Sequence, residues 1–308
     1  MTDLPATELS ASTRLCAVLG HPIRHSASPA MQNAGIAALG LDWRYVAFDV
    51  HPDHLRQAIE GARAMRFVGL NLTVPHKLLA MDMVDALDET ARQWGAVNTI
   101  RFEARMAGGE WRPVAAFGDE VPAEVRAVGF NTDADGLLRA LREDLDFEPR
   151  GSRVVLLGAG GAGRVAALKL AAERAAQLFL LNRTRAKAEA LATEISARYP
   201  KVKVEIGYPD ARRVDLLLNA TSLGLKRSDP IPMELTRLPL NQVDAVYDMV
   251  YRPAFTRLLE AARATGCRVA NGLGMLLHQG TRALEVWTGR PAPAEAMRQA
   301  LRRNVYGV

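Results

Sequence analysis

Two groups of residues in this chain have types and spacings that could do chemistry. The first is a glycine loop. Val154-Val155-Leu156-Leu157 runs directly into Gly158-Ala159-Gly160-Gly161-Ala162-Gly163, so Gly158, Gly160 and Gly163 satisfy the G-x-G-x-x-G spacing. The first glycine permits a tight turn, the second lets backbone approach a pyrophosphate, and the third lets the next helix pack on the strand. The following residues, Arg164 to Arg174, are rich in Ala and Leu and read as that helix. Its N-terminus offers unpaired N–H groups to a phosphate. A glycine triplet alone is weak evidence, but a strand before it and a helix after it are the context that makes it a dinucleotide site. The second group consists of polar residues placed where strands end. Ser26 and Ser28 lie on one short loop, Asn71 and Thr73 precede Pro75 and Lys77, and Asn219-Ala220-Thr221-Ser222 closes an apolar run. Ligands of α/β sheets gather at the carboxyl ends of strands. A lysine there can neutralise charge developing on an oxygen and give it a proton. Read blandly, Lys77 is a solvated surface residue and Ser28 is a helix cap ahead of Pro29.

The strand after the glycine loop, Gln177 to Leu181, ends at Asn182-Arg183-Thr184, with Lys187 a turn further on. A unit that binds NAD places Asp or Glu at this strand end to accept from the ribose 2′-OH. No acid stands here. A guanidinium can grip a 2′-phosphate that a carboxylate would repel, so the residues favour NADP over NAD. The alternative is that Arg183 is a solvated loop charge.

The elements that must position these groups alternate between strand and helix. Strands are expected at Arg14–Leu19, Trp43–Val50, Val68–Val74 and Gly95–Phe102. Helices are expected at Ala30–Leu39, His54–Met65, Leu78–Trp94 and Asp133–Leu145. On the third strand Asn71 and Thr73 should share one face, alternating with Leu70, Leu72 and Val74. Residues 103–127 hold Gly108-Gly109, Pro113, Gly118 and Pro122 and read as an irregular insertion or hairpin. Beyond the glycine loop come helix Ala186–Arg198, strands Val202–Ile206, Val214–Asn219 and Ala245–Val250, helix Thr256–Ala264, strand Arg268–Ala270, and helices Met275–Thr288 and Ala294–Asn304.

Composition narrows the class. The 308 residues are 49% hydrophobic and 24% charged, as in a soluble globular protein of one large or two ordinary domains. The net charge of +5 comes from dispersed arginines, without the basic stripe and interleaved aromatics of a nucleic-acid binder. No apolar stretch approaches the ~18 residues of a membrane span. Met1 to Thr13 is polar, holds Asp3 and Glu8, and reads as a frayed tail without a targeting signal, which suits a cytoplasmic protein. Cys16 and Cys267 read as small buried hydrophobes. No His/Cys/Asp cluster has metal-ligand spacing, so no metal is expected. His21, His25 and His76 are expected to pack or to hydrogen-bond locally.

Taken together, the stretches resemble the shikimate dehydrogenase family. The resemblance rests on His25 to Pro29, Asn71 to Lys77, Gly95 to Thr99, Asn131-Thr132-Asp133, Gly158 to Ala162, Asn182 to Thr184, Asn219 to Ser222, Asp248 to Tyr251, and Gly272 to Leu276 with Gln279. Each stretch alone is weak, but nine in order are specific. The resemblance implies NADPH-dependent, reversible reduction of 3-dehydroshikimate to shikimate, in aromatic amino-acid and chorismate biosynthesis. It implies an α/β fold of two domains with a cleft between them. A substrate-binding domain would comprise residues 1–133 and 273–308, and a Rossmann-type NADP-binding domain residues 134–272. It assigns catalysis to Lys77 and Asp133. Substrate binding would fall to Ser26, Ser28, Thr73, Lys77, Asn98, Asp133, Tyr251 and Gln279. The cofactor would lie on Gly158, Ala159, Gly160, Gly161, Ala162, Asn182, Arg183, Thr184, Lys187, Met249 and Gly272. Two departures stand out: Gln32 where the family often has His, and the length of the 103–127 segment. Three other readings stay open: a quinate/shikimate dehydrogenase, an aminoshikimate-type paralogue, and a non-catalytic dinucleotide-binding sensor. Oligomeric state is also open, a homodimer included.

Overall fold

The computed structural model describes residues 9–118, 120–210 and 213–308. The start of the polar tail, with Asp3 and Glu8, lies outside them. In chain order the elements are β1 (Arg14–Gly20), α1 (Ser28–Ala38), β2 (Trp43–Asp49), α2 (Leu55–Ala64), β3 (Gly69–Leu72), α3 (His76–Leu79), β4 (Ala86–Leu87), α4 (Glu89–Trp94), β5 (Thr99–Arg105), β6 (Trp111–Pro113) and β7 (Val125–Phe130). They continue with α5 (Asp133–Leu145), β8 (Arg153–Leu157), α6 (Gly161–Ala172), β9 (Gln177–Leu181), α7 (Arg185–Arg198), β10 (Lys203–Ile206), β11 (Val214–Asn219), β12 (Val243–Asp248), α8 (Arg257–Ala264), β13 (Arg268–Asn271), α9 (Leu273–Thr288) and α10 (Ala294–Tyr306). The chain divides into two compact units, one up to Thr132 together with Gly280–Val308, the other Asp133–Gln279. The second crossing point therefore falls inside α9.

The first unit holds a mixed sheet in the order β2-β1-β3-β5-β7-β4, with β6 paired to β5. The β1–β2 and β1–β3 pairs are parallel, and β5 runs antiparallel to β3, β6 and β7. Its core gathers Ala17, Leu19, Leu55, Ile59, Leu70, Leu72, Ile100 and Phe102. The second unit is a wholly parallel sheet, ordered β10-β9-β8-β11-β12-β13. Numbered from β8, that is 3-2-1-4-5-6, the doubly wound dinucleotide-binding order. Val154, Val155, Leu156 and Leu157 of β8 are all buried, as a strand covered by helices on both faces requires.

Four expectations need correction. The expected helix Leu78–Trp94 is broken into the short α3, a 3-10 turn at Ala80–Asp82, β4 and α4. The acids that suggested an outer helix face do other work. Asp88 caps α4 by accepting from Thr90 N (2.9 Å), and Asp85 accepts from Ala127 N (2.6 Å), beside the β4–β7 pair. The third strand stops at Leu72, with all four residues of β3 buried, and Val74 is 68% exposed. The alternation expected to Val74 therefore fails: both faces of β3 are buried, Asn71 accepting from the Tyr45 hydroxyl, and Thr73 and Val74 lie past its end. The helix after the glycine loop begins at Gly161, not Arg164. Ser28 does not cap α1: Ala27 occupies that position in a helical conformation, and no side chain caps the end.

Residues 103–118 and 120–127 form a hairpin-based extension. β5 continues to Arg105, turns back through β6, and the chain returns along β7. Its inner anchor is Glu103, buried and bonded by Arg101 and by Arg126 (Nε to Oε2, 2.8 Å). The Arg126 guanidinium also lies 4.4 Å from the Trp111 ring centroid, and that of Arg101 lies 4.9 Å from Phe130.

Candidate active site

In the first unit the polar residues stand where β1 and β3 end. Ser26 lies between β1 and α1 and Ser28 is the first residue of α1; the two are joined by a bond from Ser28 N to Ser26 Oγ (3.3 Å). Helix α1 is fixed to β2 by Asn33, whose amide accepts from Tyr45 N (2.9 Å) and donates to Tyr45 O (2.8 Å). Thr73 donates its N–H to Leu19 O (3.0 Å), which ties the end of β3 to β1. Lys77, half-buried, occupies the first turn of α3, and its carbonyl accepts from Val97 N (2.9 Å). His76, just before it, is fully buried, and its ring nitrogens make no hydrogen bond of ordinary geometry. Burial holds its imidazole below the usual range, a pull that the Val50 carbonyl only partly opposes.

A buried hydrogen-bonded chain runs beneath these groups. Tyr45 donates its hydroxyl to Asn71 Oδ1 (2.8 Å), and Asn71 Nδ2 donates to Asn98 O (3.2 Å) and Thr99 Oγ1 (3.0 Å). Asn98 Oδ1 accepts from Thr132 N (2.8 Å), and its Nδ2 donates to Thr132 Oγ1 (2.9 Å). Burial pushes the Tyr45 phenol well up; Cys16 adds to this and the Ser28 hydroxyl opposes it. Sequence reasoning missed Tyr45, Thr99 and Thr132 as supports. Asn71, a polar residue inside an apolar run, was the one available signal.

In the second unit the glycine loop has two kinds of glycine. A Cβ on Gly163 would lie 2.0 Å from Gly158 O, and one on Gly158, where φ is +102°, would lie 3.0 Å from a Thr221 methyl. Those two glycines are required by the fold. A Cβ on Gly160 or Gly161 would meet no heavy atom within 4 Å. Both are exposed, at the N-terminus of α6, whose first-turn N–H groups lack intrahelical acceptors. Packing does not explain them; a loop left open in this way lets a phosphate approach the main chain closely. Asn182 links the loop to the end of β9: its Oδ1 accepts from Ala159 N (3.0 Å) and its Nδ2 donates to Thr184 O (2.8 Å). Arg183, Thr184 and Lys187 are exposed beside it, and no carboxylate stands at that strand end.

Met249 and Gly272 face each other after β12 and β13. Met249 N donates to Asn219 O (2.9 Å), and a Cβ on Gly272 would lie 2.0 Å from Met249 O. The buried Asp248 accepts from Asn219 Nδ2 (2.9 Å), Val250 N (3.0 Å) and the Thr256 hydroxyl (2.7 Å), while burial pushes its carboxyl up. Tyr251, half-buried, follows. Asp133 is buried at the start of α5. Gln279 stands on α9, its Nε2 donating to Leu276 O (2.8 Å). Among the described residues, no group of three or more His, Cys, Asp or Glu could hold a metal ion, and no helix is long and apolar enough to cross a membrane.

Residues 18–100 match the family model of the shikimate dehydrogenase substrate binding domain. Residues 142–225 match that of shikimate/quinate 5-dehydrogenase, and residues 272–302 that of the shikimate 5′-dehydrogenase C-terminal domain. A shikimate dehydrogenase (NADP(+)) of Methanopyrus kandleri is 41% identical over 302 residues, covering 96% of this chain and 97% of its own. The chain belongs to the shikimate dehydrogenase family. Among solved structures, a shikimate dehydrogenase in complex with NADP+ superposes with a TM-score of 0.82 at 34% identity, covering 97% of this chain and 98% of that one. A quinate dehydrogenase from Corynebacterium glutamicum in complex with NAD gives a TM-score of 0.76 at 29% identity, over 94% and 98% of the two chains. As a shikimate dehydrogenase family member, the chain is an oxidoreductase acting on a CH–OH group. The matched substrate binding domain covers Ser26, Ser28, Thr73, Lys77 and Asn98, and the second match covers the glycine loop and the β9 end.

Proposed function

We propose that this chain catalyses the reversible, NADP-dependent reduction of 3-dehydroshikimate to shikimate. The observation that carries the reading is Lys77. It is held by main-chain bonds just past β3, in the unit matching the substrate binding domain, within a chain 41% identical along its length to an NADP-dependent shikimate dehydrogenase. The open Gly160–Gly161 cradle and the acid-free end of β9 support NADP as the cofactor. Gly158 to Ala162, Asn182, Met249 and Gly272 would hold it, with Arg183, Thr184 and Lys187 on the 2′-phosphate. When bound, NADPH supplies hydride to the C3 carbonyl carbon. Lys77 neutralises the charge on the carbonyl oxygen and gives it a proton. Asp133 accepts from a substrate hydroxyl. Ser26 and Ser28, with Tyr251, take the carboxylate; Thr73, Asn98 and Gln279 take ring hydroxyls, since each can donate as well as accept.

The test is initial rates with shikimate and with quinate, each with NADP and with NAD, followed by absorbance of the reduced cofactor. Turnover with shikimate and NADP, and little otherwise, is the expected result. Comparable rates with quinate or NAD would move the chain toward the activity named for its quinate dehydrogenase neighbour. No turnover in any combination would refute the assignment.

A further inference from the structure

Gly136 lies in the interior of α5, where glycine costs about 1 kcal/mol relative to alanine, so its presence there calls for a packing reason. That reason is Gln279. A Cβ on Gly136 would lie 2.8 Å from Gln279 N, 3.0 Å from its Cβ and 3.1 Å from its Cα. These are the main chain and first side-chain atom of α9, so no rotamer change relieves the contact. The two helices continue in antiparallel contact: a Cβ on Gly274, earlier in α9, would lie 2.0 Å from Asp144 Oδ2 and 3.3 Å from the Ala140 Cβ, both further along α5. Asp133 stands one turn before Gly136, three residues away and thus on the same face of α5. One glycine thereby sets the separation between the helix that starts at Asp133 and the helix that carries Gln279.

We propose that Gly136 is a positioning residue for the substrate, acting through Gln279. This rests on the reading that the Gln279 side chain touches shikimate. The test measures kcat, KM for shikimate and NADP affinity in Gly136→Ala, Gln279→Ala and the double variant. Contacts of 2.8–3.1 Å are relieved by a shift of a few tenths of an ångström, less than the ~1 Å that can cost roughly 100-fold, so Gly136→Ala should raise KM for shikimate by roughly 10-fold. It should lower kcat less and leave NADP affinity unchanged. In the Gln279→Ala background the same substitution should add little, because the group it displaces is gone. Equal factors in both backgrounds would overturn the inference, as would a wild-type KM for Gly136→Ala. A wild-type KM for Gln279→Ala would instead overturn the reading of Gln279 and the inference with it. Should Gly136→Ala fail to fold, Gly274→Ala presses on the same helix pair through the Asp144 carboxylate, the end of a side chain that can move aside, and then through the Ala140 methyl. It should raise KM by a smaller factor that also vanishes without the Gln279 side chain; a rise that persists would refute the proposal.

Discussion

The two kinds of glycine in the β8–α6 loop predict opposite outcomes from the same one-methyl change. In Gly163→Ala the new Cβ would sit 2.0 Å from Gly158 O, where real contacts stay beyond 3.0 Å, so the turn must open by about 1 Å. Overpacking of this kind costs about 1–3 kcal/mol. At roughly 2–4 °C per kcal/mol for a unit of this size, the melting temperature should fall by about 2–12 °C. In Gly160→Ala the Cβ would meet nothing, and φ −79°, ψ −172° is open to alanine. The gain from a stiffer unfolded chain, about 0.4–1 kcal/mol, offsets the roughly 0.5–1 kcal/mol lost when alanine replaces glycine at a helix cap. Stability should therefore be unchanged. Cofactor affinity should suffer, because the methyl fills the space through which N–H groups reach the pyrophosphate. Hydrogen bonds to charged groups are each worth about 1.5–3 kcal/mol, so loss of one weakens NADP binding roughly 10- to 100-fold. Scanning calorimetry and isothermal titration with NADP would separate the two effects. Wild-type NADP affinity in Gly160→Ala, or a lower melting point there than in Gly163→Ala, would refute the reasoning.

Three further predictions follow from single sites. Lys77→Ala should lower kcat for shikimate oxidation by about 10²–10⁴, the range for a general acid–base group, with a smaller change in KM; wild-type turnover in stopped-flow or steady-state assays would remove Lys77 from the mechanism. Glu103→Ala should destabilise by about 3 kcal/mol, the low end for breaking a buried ion pair, because both arginine partners still reach solvent; denaturant unfolding with an unchanged midpoint would count against it. For His76 the folded-state value lies below the ordinary 6.5, so the unfolded chain takes up the proton first. Its contribution to stability is complete above pH 6.5 and is lost as pH falls through the folded-state value. Wild type should thus lose more melting temperature than His76→Asn between pH 8 and pH 5, and equal losses in the two proteins would contradict the sign.

Much of the second unit was legible because its signals are local. Gln177–Leu181 and Val214–Asn219 are apolar runs bounded by turn residues, and both strands have those limits. The glycine spacing and the acid-free strand end needed no tertiary information. The first unit was harder where local patterns had two meanings. Asp85, Asp88 and Glu89 suit the polar face of a long helix as well as a cap and a bond to a neighbouring strand, and only the β4–β7 pairing decides between them. Ser28 before Pro29 has the composition of a cap, but its helix starts one residue earlier than that role allows. The supports of the candidate site were out of reach, since Tyr45 and Asn71, or Asn98 and Thr132, meet across 26 and 34 residues of chain.

The Tyr45 chain has a direction. Asn71 must turn its NH2 toward the Asn98 carbonyl, which can only accept, so its oxygen is left for Tyr45. The phenolic hydrogen is thereby committed inward, and the phenol oxygen can only receive from the Ser28 hydroxyl beside it. On the proposed reading, in which Ser28 takes the substrate carboxylate, that serine has one hydrogen to aim at Tyr45 or at the anion but not at both. The core would then compete with the ligand for a single proton, and the Asn98 carbonyl, by fixing the turn of Asn71, would decide what the rim can offer.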